Sequence, residues 1–465
     1  MTLVVGIPGP QGIPGTAGAT GANGTNGNTV WPTTGAPSST LGVNGDFAND
    51  VTNSVMYGPK ANNAWPAGTS YKGPQGSQGV PGAAAKWVSG MTYKGLVATR
   101  GKSPSTTMNA TVFMSRYPVV ARQSISHMGV TIPQWYANGG DFPIGADRTT
   151  KCTVEYNGAI VGNITFGGQP TGTVYDFSSL ESDEITLSTT IPSGALFYIR
   201  EYSTTTGTTM PLSSFSTLIG ANTANGTCFQ YGTSGITDLT GSPGTFTSTD
   251  SFAFTAPVAV WATGVAVPTI AIFGDSRNEG WYDAFATSMD VGETARSIGP
   301  TRAYTNLARG LETIASVSNG GMVQRRAIAQ AYCSHIFQNY GVNDLFNGGS
   351  TPQQILNWMQ EIRGQFPGKW FNQTTMMGET TSTDGWATVQ NQTLASTLVE
   401  PSRRQLNNYL RNVNGIFDNV YDVSSVFETA HNTGIWKAPG YTGDGIHQTP
   451  VGYADVPPTG VIVVP

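Results

Sequence analysis

The sequence predicts a multidomain chain: an N-terminal collagen-like triple helix, an all-β sandwich of jelly-roll type in the middle, and a C-terminal α/β domain around a mostly parallel sheet. Three observations carry this. Glycine recurs at every third position from Gly6 to Gly27. Between about Ala83 and Trp261, short apolar and β-branched runs alternate with Gly, Asn and Thr turns. From Pro268 onward, strand-like and helix-like segments take turns.

The first run reads GIP-GPQ-GIP-GTA-GAT-GAN-GTN-GNT, and a shorter one, GPQGSQGVPG, spans 73–82. Only glycine fits the crowded axis of a triple helix, which is why the period is strict. Such a helix needs three chains, so a homotrimer is expected, with a first rod of roughly 70 Å at ~3 Å per residue. The resulting division is 1–28 (N-terminal attachment and collagen-like repeat), 29–72 (small spacer), 73–82 (second repeat), 83–262 (sandwich) and 263–465 (α/β domain). The spacer, with LGVNGDFAND and SVMYGPKANNAWPAGTSYKGPQG, resembles modules that accompany collagen-like repeats in phage tail fibres and some bacterial surface proteins.

Within the sandwich, TVEYNGAIVGNITF predicts a hairpin around Asn157-Gly158, because Asn-Gly suits a two-residue hairpin turn. Trp135 and Tyr136 are candidates for stacking on sugars, although core positions are the commoner use of such residues. In the last domain, PTIAIF is a buried-strand run. Thr351-Pro352 forms an N-cap and N1 pair ahead of QQILNWMQEIRGQF. Trp370 to Met377 is a predicted strand, Ser402 to Val413 a helix and Phe417 to Val423 another strand.

Composition narrows the function. Charged residues are 11% of the 465, against roughly a quarter in a typical soluble domain. The net charge is −5 and the 23 Lys and Arg form no basic run, which argues against nucleic-acid binding. No stretch approaches the ~18 apolar residues of a membrane span. The start, MTLVVGIPGP, lacks a signal peptide's basic region and its apolar run is short, so ordinary secretion is not expected; for a protein that works outside a cell, release by lysis as part of a particle is one way out. Cys152, Cys228 and Cys333 are far apart, odd in number and without a CxxC pair; they are expected to be core thiols. No metal or cofactor constellation is present in the pattern.

The strand PTIAIF runs into Gly274-Asp275-Ser276, where a parallel sheet displays a nucleophile. After it come Asn306-Leu307-Ala308-Arg309-Gly310, then Gly341-Val342-Asn343-Asp344, then Asp444-Gly445-Ile446-His447. A serine hydroxyl needs a base, and His447 has a carboxylate, Asp444, three residues before it. Gly320 and Gly321 are alternative positions for the second block. Asp275 and Asp344 are expected to stabilise turns; Asp422, His127, His335 and His431 are expected to be structural.

These four blocks, in this order, resemble the SGNH (GDSL-type) esterase superfamily, with GDSR where many members have GDSL. The resemblance implies a flavodoxin-like three-layer fold for the last domain. It implies Ser276 as nucleophile, His447 as base and Asp444 as its orienting carboxylate. The oxyanion hole would be the Ser276 and Gly310 backbone N–H groups and the Asn343 side-chain amide. Some carbohydrate esterases of this kind carry a jelly roll before the catalytic domain, and MSRYPVVARQSISHMGVTIPQWYANGG resembles the start of one. The expectation is a phage-virion fibre or spike that binds other virion proteins through its N-terminus and removes O-acetyl or similar esters from host surface polysaccharide. The alternatives are a non-catalytic adhesin fibre and a bacterial surface or spore-coat esterase. A polysaccharide-cleaving spike would want paired carboxylates, and no convincing pair is seen.

Overall fold

The computed structural model describes residues 27–70, 86–214, 225–250, 252–285, 289–413 and 415–464. The glycine triplets before Gly27 and the whole second run, Gly73 to Gly82, lie outside the described residues. The chain divides into two compact units, Met1–Gly82 and Ala83–Pro465.

In the first unit, Val30–Thr33 pairs parallel with Phe47–Asp50, which pairs antiparallel with Val55–Tyr57, and that strand meets Thr69–Ser70. So small a sheet has little apolar core, and polar centres hold it. The Asp46 carboxylate accepts from Thr29 N, Trp31 Nε1 and Val43 N at 2.8–2.9 Å. Lys60 Nζ donates to the carbonyls of Ser39, Leu41 and Gly42 at 2.7–2.9 Å.

The second unit begins with two antiparallel sheets. One runs Ala159–Asn163, Arg148–Tyr156, Leu196–Thr205, Val112–Val120, Cys228–Gly232; the other runs Ser179–Glu181, Ile125–Pro133, Ala259–Val265, Tyr93–Leu96. Their inward positions alternate along each strand, as a pleat requires. Tyr117, Val119, Val154, Phe197 and Ile199 of the first meet Met128, Val130, Ile132 and Val260 of the second in one buried cluster. The Asn157-Gly158 turn is present, with both residues at positive φ (49° and 74°) and Tyr156 opposite Ala159. Cys152, Cys228 and Cys333 are buried free thiols.

The rest is a parallel sheet in the order Asn419–Tyr421, Trp370–Thr374, His335–Gln338, Ile270–Ile272, Tyr304–Asn306, Gly101–Lys102, with helices between its strands. Thr351 caps the helix Pro352–Gly364 with a reciprocal Gln354 contact. The later helix spans Glu400–Asn412. Two strands are shorter than expected, ending at Thr374 and Tyr421. Among the described residues no helix is long and apolar enough to cross a membrane.

The boundary expected at 262/263 is not a clean division. Gly101–Lys102, from the stretch assigned to the sandwich, is the edge strand of the parallel sheet beside Tyr304–Asn306. Glycine is needed there, because a Cβ on Gly101 would lie 2.6 Å from the Val258 carbonyl oxygen. The two layers also share a core, with Leu96, Trp135, Val258 and Trp261 packed among Ala271, Phe273, Leu307 and Tyr332. Trp135 is fully buried and donates to Ser179 Oγ at 2.8 Å, so it offers no sugar platform; Tyr136 is half-buried.

Candidate active site

Three adjacent strands set the site. Ile270–Ile272 lies between His335–Gln338 and Tyr304–Asn306. Their carboxyl ends lead to Ser276, Asn343 and Gly310 respectively, so the sheet order brings three distant blocks to one edge.

The turn that presents Ser276 is tightly specified. Gly274 has φ +131°, and a Cβ there would sit 1.8 Å from Asn339 Oδ1. The Asn339 side chain accepts from Asp275 N and donates to Asp275 Oδ1, both at 3.0 Å. Asp275 Oδ1 also caps the short helix Ser276–Glu279 by accepting from Arg277 N at 3.0 Å. Asp275 is thus a turn-builder, and burial pushes its carboxyl up from the ordinary range.

Ser276 Oγ lies 2.7 Å from His447 Nε2, and His447 Nδ1 lies 2.7 Å from Asp444 Oδ2. The second Asp444 oxygen accepts from the backbone N–H of Ile446 and His447 at 2.8 Å each. Burial would raise Asp444, but the bonds from the His447 side chain and from these two amides outweigh it and hold the carboxyl down at about 2. An ionised carboxylate only accepts, so it places the imidazole proton on Nδ1 and leaves Nε2 as the base.

The loop carrying His447 is anchored on two sides. Arg277 Nε donates to the Ile446 carbonyl at 3.1 Å, and Thr380 N donates to the Gly445 carbonyl at 3.0 Å. The ring is flanked by Trp281 and Tyr282, with centroids at 5.4 and 5.2 Å. A cavity of about 360 Å³ opens beside it, lined by Tyr282, Gly443, Asp444, His447, Gln448 and Thr449.

The expected oxyanion donors are placed less simply. Asn343 is 8% exposed, and its Nδ2 donates to the Glu312 carbonyl at 3.0 Å. One Nδ2 hydrogen remains for a ligand, since an amide carries two. The Gly310 N–H was expected to face the reaction; it donates instead to Glu279 Oε2 at 2.5 Å. Glycine is required at 310 because a Cβ would meet the Trp281 ring at 2.4 Å. Asp344 accepts from Ile314 N and Ala315 N at 2.9 and 3.0 Å, at the amino end of the helix Ile314–Ser318, and burial pushes it up to about 6. Asp422 binds Arg411 and Thr375, a structural use.

Several residues of this site were not singled out in the sequence: Arg277, Glu279, Trp281, Asn339, Glu293 and Lys102. Glu279 stands one helical turn after Ser276, so the helical spacing was a usable signal; Trp281 follows just past the end of that helix. Glu293, buried and bonded to Thr374 Oγ1 (2.9 Å) and Gln448 Nε2 (3.2 Å), is pushed up to about 7 by burial.

No protein-family model matches the chain, and no curated protein matches it. Among solved structures, it is similar to an aryl esterase of M. smegmatis (16% identity, TM-score 0.29, 42% of this chain and 97% of that one). It is likewise similar to a member of the lipolytic protein G-D-S-L family from Veillonella parvula (16%, 0.29, 42% and 96%). A Bacillus subtilis protein aligns over 77% of this chain and 78% of its own, at 13% identity and TM-score 0.29.

Proposed function

We propose that this protein is a serine esterase. The observation that carries the reading is the relay Ser276 Oγ–His447 Nε2, His447 Nδ1–Asp444 Oδ2, each step 2.7 Å, beside a cavity at the carboxyl edge of a parallel sheet. As Ser276 Oγ bonds to the ester carbonyl carbon, its proton passes to His447 Nε2 and the carbonyl oxygen becomes an oxyanion. Collapse breaks the bond to the leaving alkoxide, which takes that proton. Water then attacks the acyl carbon and gives a proton to His447; collapse breaks the bond to Ser276 Oγ, which takes that proton from His447, and the acid is released. Asp444 holds the imidazole in register and balances its charge while it is protonated.

The wider setting is proposed from the sequence. The strict Gly-X-Y runs support a trimeric, collagen-stalked fibre or spike, attached to a phage particle through its N-terminus. Low charge and abundant small polar residues suit such a surface. On a trimer, weak binding of each site to host polysaccharide would be multiplied by avidity. The substrate proposed is an O-acetyl or similar ester on that polysaccharide.

Acetate release from purified host polysaccharide, with wild type beside Ser276→Ala, tests the reading. Release by wild type alone is expected. Equal release by both proteins, or none by either from glycan or from small aryl esters, would sink it.

A further inference from the structure

Glu279 ends the helical turn that Ser276 begins, and it is 4% exposed. Its Oε2 accepts from Gly310 N at 2.5 Å and Trp281 Nε1 at 3.1 Å, with Arg309 Nη1 at 3.4 Å. Its Oε1 lies 3.5 Å from Lys102 Nζ, and Lys102 is itself 2% exposed. One carboxylate therefore gathers donors from three separate segments: the edge strand Gly101–Lys102, the loop after Tyr304–Asn306, and the turn after Ser276. Burial alone would raise its pKa, but the charges of Lys102 and Arg309, with the Gly310 and Trp281 bonds, hold it below the ordinary value. It is ionised at neutral pH.

A carboxylate makes the same demand on an N–H as an oxyanion does, and charge-assisted bonds of this kind are the strong ones. The Trp281 ring packs on Gly310 as well. For Gly310 to serve the reaction, Glu279 would have to release it while staying buried beside two cations, and a new anion would form next to the old one.

We propose that Glu279 is a positioning residue that keeps the Gly310 N–H out of the reaction, so that the developing oxyanion is received by the Ser276 N–H and the Asn343 side-chain amide. The Lys102–Glu279 pair keeps this arrangement in place from the edge strand. The inference rests on the esterase reading above. It makes the edge strand, which lies in sequence between strands of the sandwich, part of the apparatus that shapes the site.

A structure of the full chain treated with diethyl p-nitrophenyl phosphate tests it. Ser276 Oγ bonds to phosphorus, nitrophenolate leaves, the serine proton goes to His447, and the phosphoryl oxygen stands where the oxyanion would be. The expected adduct has that oxygen within hydrogen-bond distance of Ser276 N and Asn343 Nδ2, with Gly310 N still on Glu279. A phosphoryl oxygen bonded to Gly310 N, with Glu279 turned away, overturns the proposal. Failure of Ser276 to be labelled, read by intact mass, overturns the esterase reading itself. Kinetics give a second arm. Glu279→Gln keeps an acceptor for Gly310 but not the charge, and is expected to lower kcat a few-fold with KM unchanged. A rise of about tenfold or more would show that the carboxylate must be driven off in each turnover, and would overturn the proposal.

Discussion

Two buried histidines stand at opposite edges of the same parallel sheet. His447 meets Ser276 beyond the carboxyl end of the strand Ile270–Ile272, while His335 opens the neighbouring strand at its amino end. His335 has Ser334 Oγ at 2.9 Å from Nδ1 and lies stacked on Trp370, with no carboxylate bonded to it among the described residues; burial, aided by the Arg302 charge and opposed by that of Asp418, pushes it down to about 4. His447 has aromatic neighbours too, but it also has Asp444 at 2.7 Å. Burial by itself makes a histidine inert, because it penalises the imidazolium. A buried histidine can take a proton in a reaction when a fixed anion stands ready to balance it. The difference is one carboxylate, held by two backbone amides.

The comparison can be broken most severely at the reacting residues. His447→Ala should reduce p-nitrophenyl acetate turnover by roughly 10³–10⁶-fold, judged from serine hydrolases whose triad residues act as a unit. Asp444→Asn leaves the shape intact but removes the anion, and should lose on the order of 10²–10⁴ in kcat, since the amide no longer imposes the correct tautomer. A smaller loss than about tenfold would mean that Asp444 is not what separates the two histidines. His335→Asn is the control at the other edge: turnover within about twofold of wild type, with stability lower by about 1–2 kcal/mol for the disturbed packing against Trp370.

A finer measurement uses pH. The folded pKa of His335, about 4, lies below its ordinary 6.5, so the unfolded chain binds the proton more tightly and stability is lost as pH falls from about 6.5 through 4. Glu293 is the reverse case. Its folded pKa of about 7 lies above 4.5, so the folded chain holds the proton more tightly and stability is lost as pH rises from about 4.5 through 7. The two oppose each other in one window. Melting temperatures between pH 4.5 and 7 should therefore rise more steeply with pH in Glu293→Gln and less steeply in His335→Asn. The same slope in both variants would contradict this account of the buried groups.

Much of the site was legible because its signals are local. Asp444 and His447 sit three residues apart on one loop, and PTIAIF ends three residues before Ser276. The Asn157-Gly158 hairpin and the Thr351 cap follow from side chains acting on their own backbone, so they too could be seen in advance. The strand Gly101–Lys102 could not. It is two residues long, shows no periodicity, and pairs with Tyr304–Asn306 about two hundred positions away. The commitment of the Gly310 N–H to Glu279 was hidden for a similar reason. A motif names the donor, and it says nothing of which acceptor the packing will bring to it.

The order of the four blocks and the chemistry of their side chains are properties of the chain, and they sufficed to nominate Ser276, His447 and Asp444. The glycine period is equally a property of the chain, read directly from Gly6 to Gly27. Tertiary structure alone decided that the sandwich and the parallel sheet share a core, that an edge strand delivers Lys102 to Glu279, and that a carboxylate is bonded to His447 but, among the described residues, not to His335. Those outcomes depend on long-range pairing and on desolvation, and both arise only when segments distant in sequence are brought together and water is removed from between them.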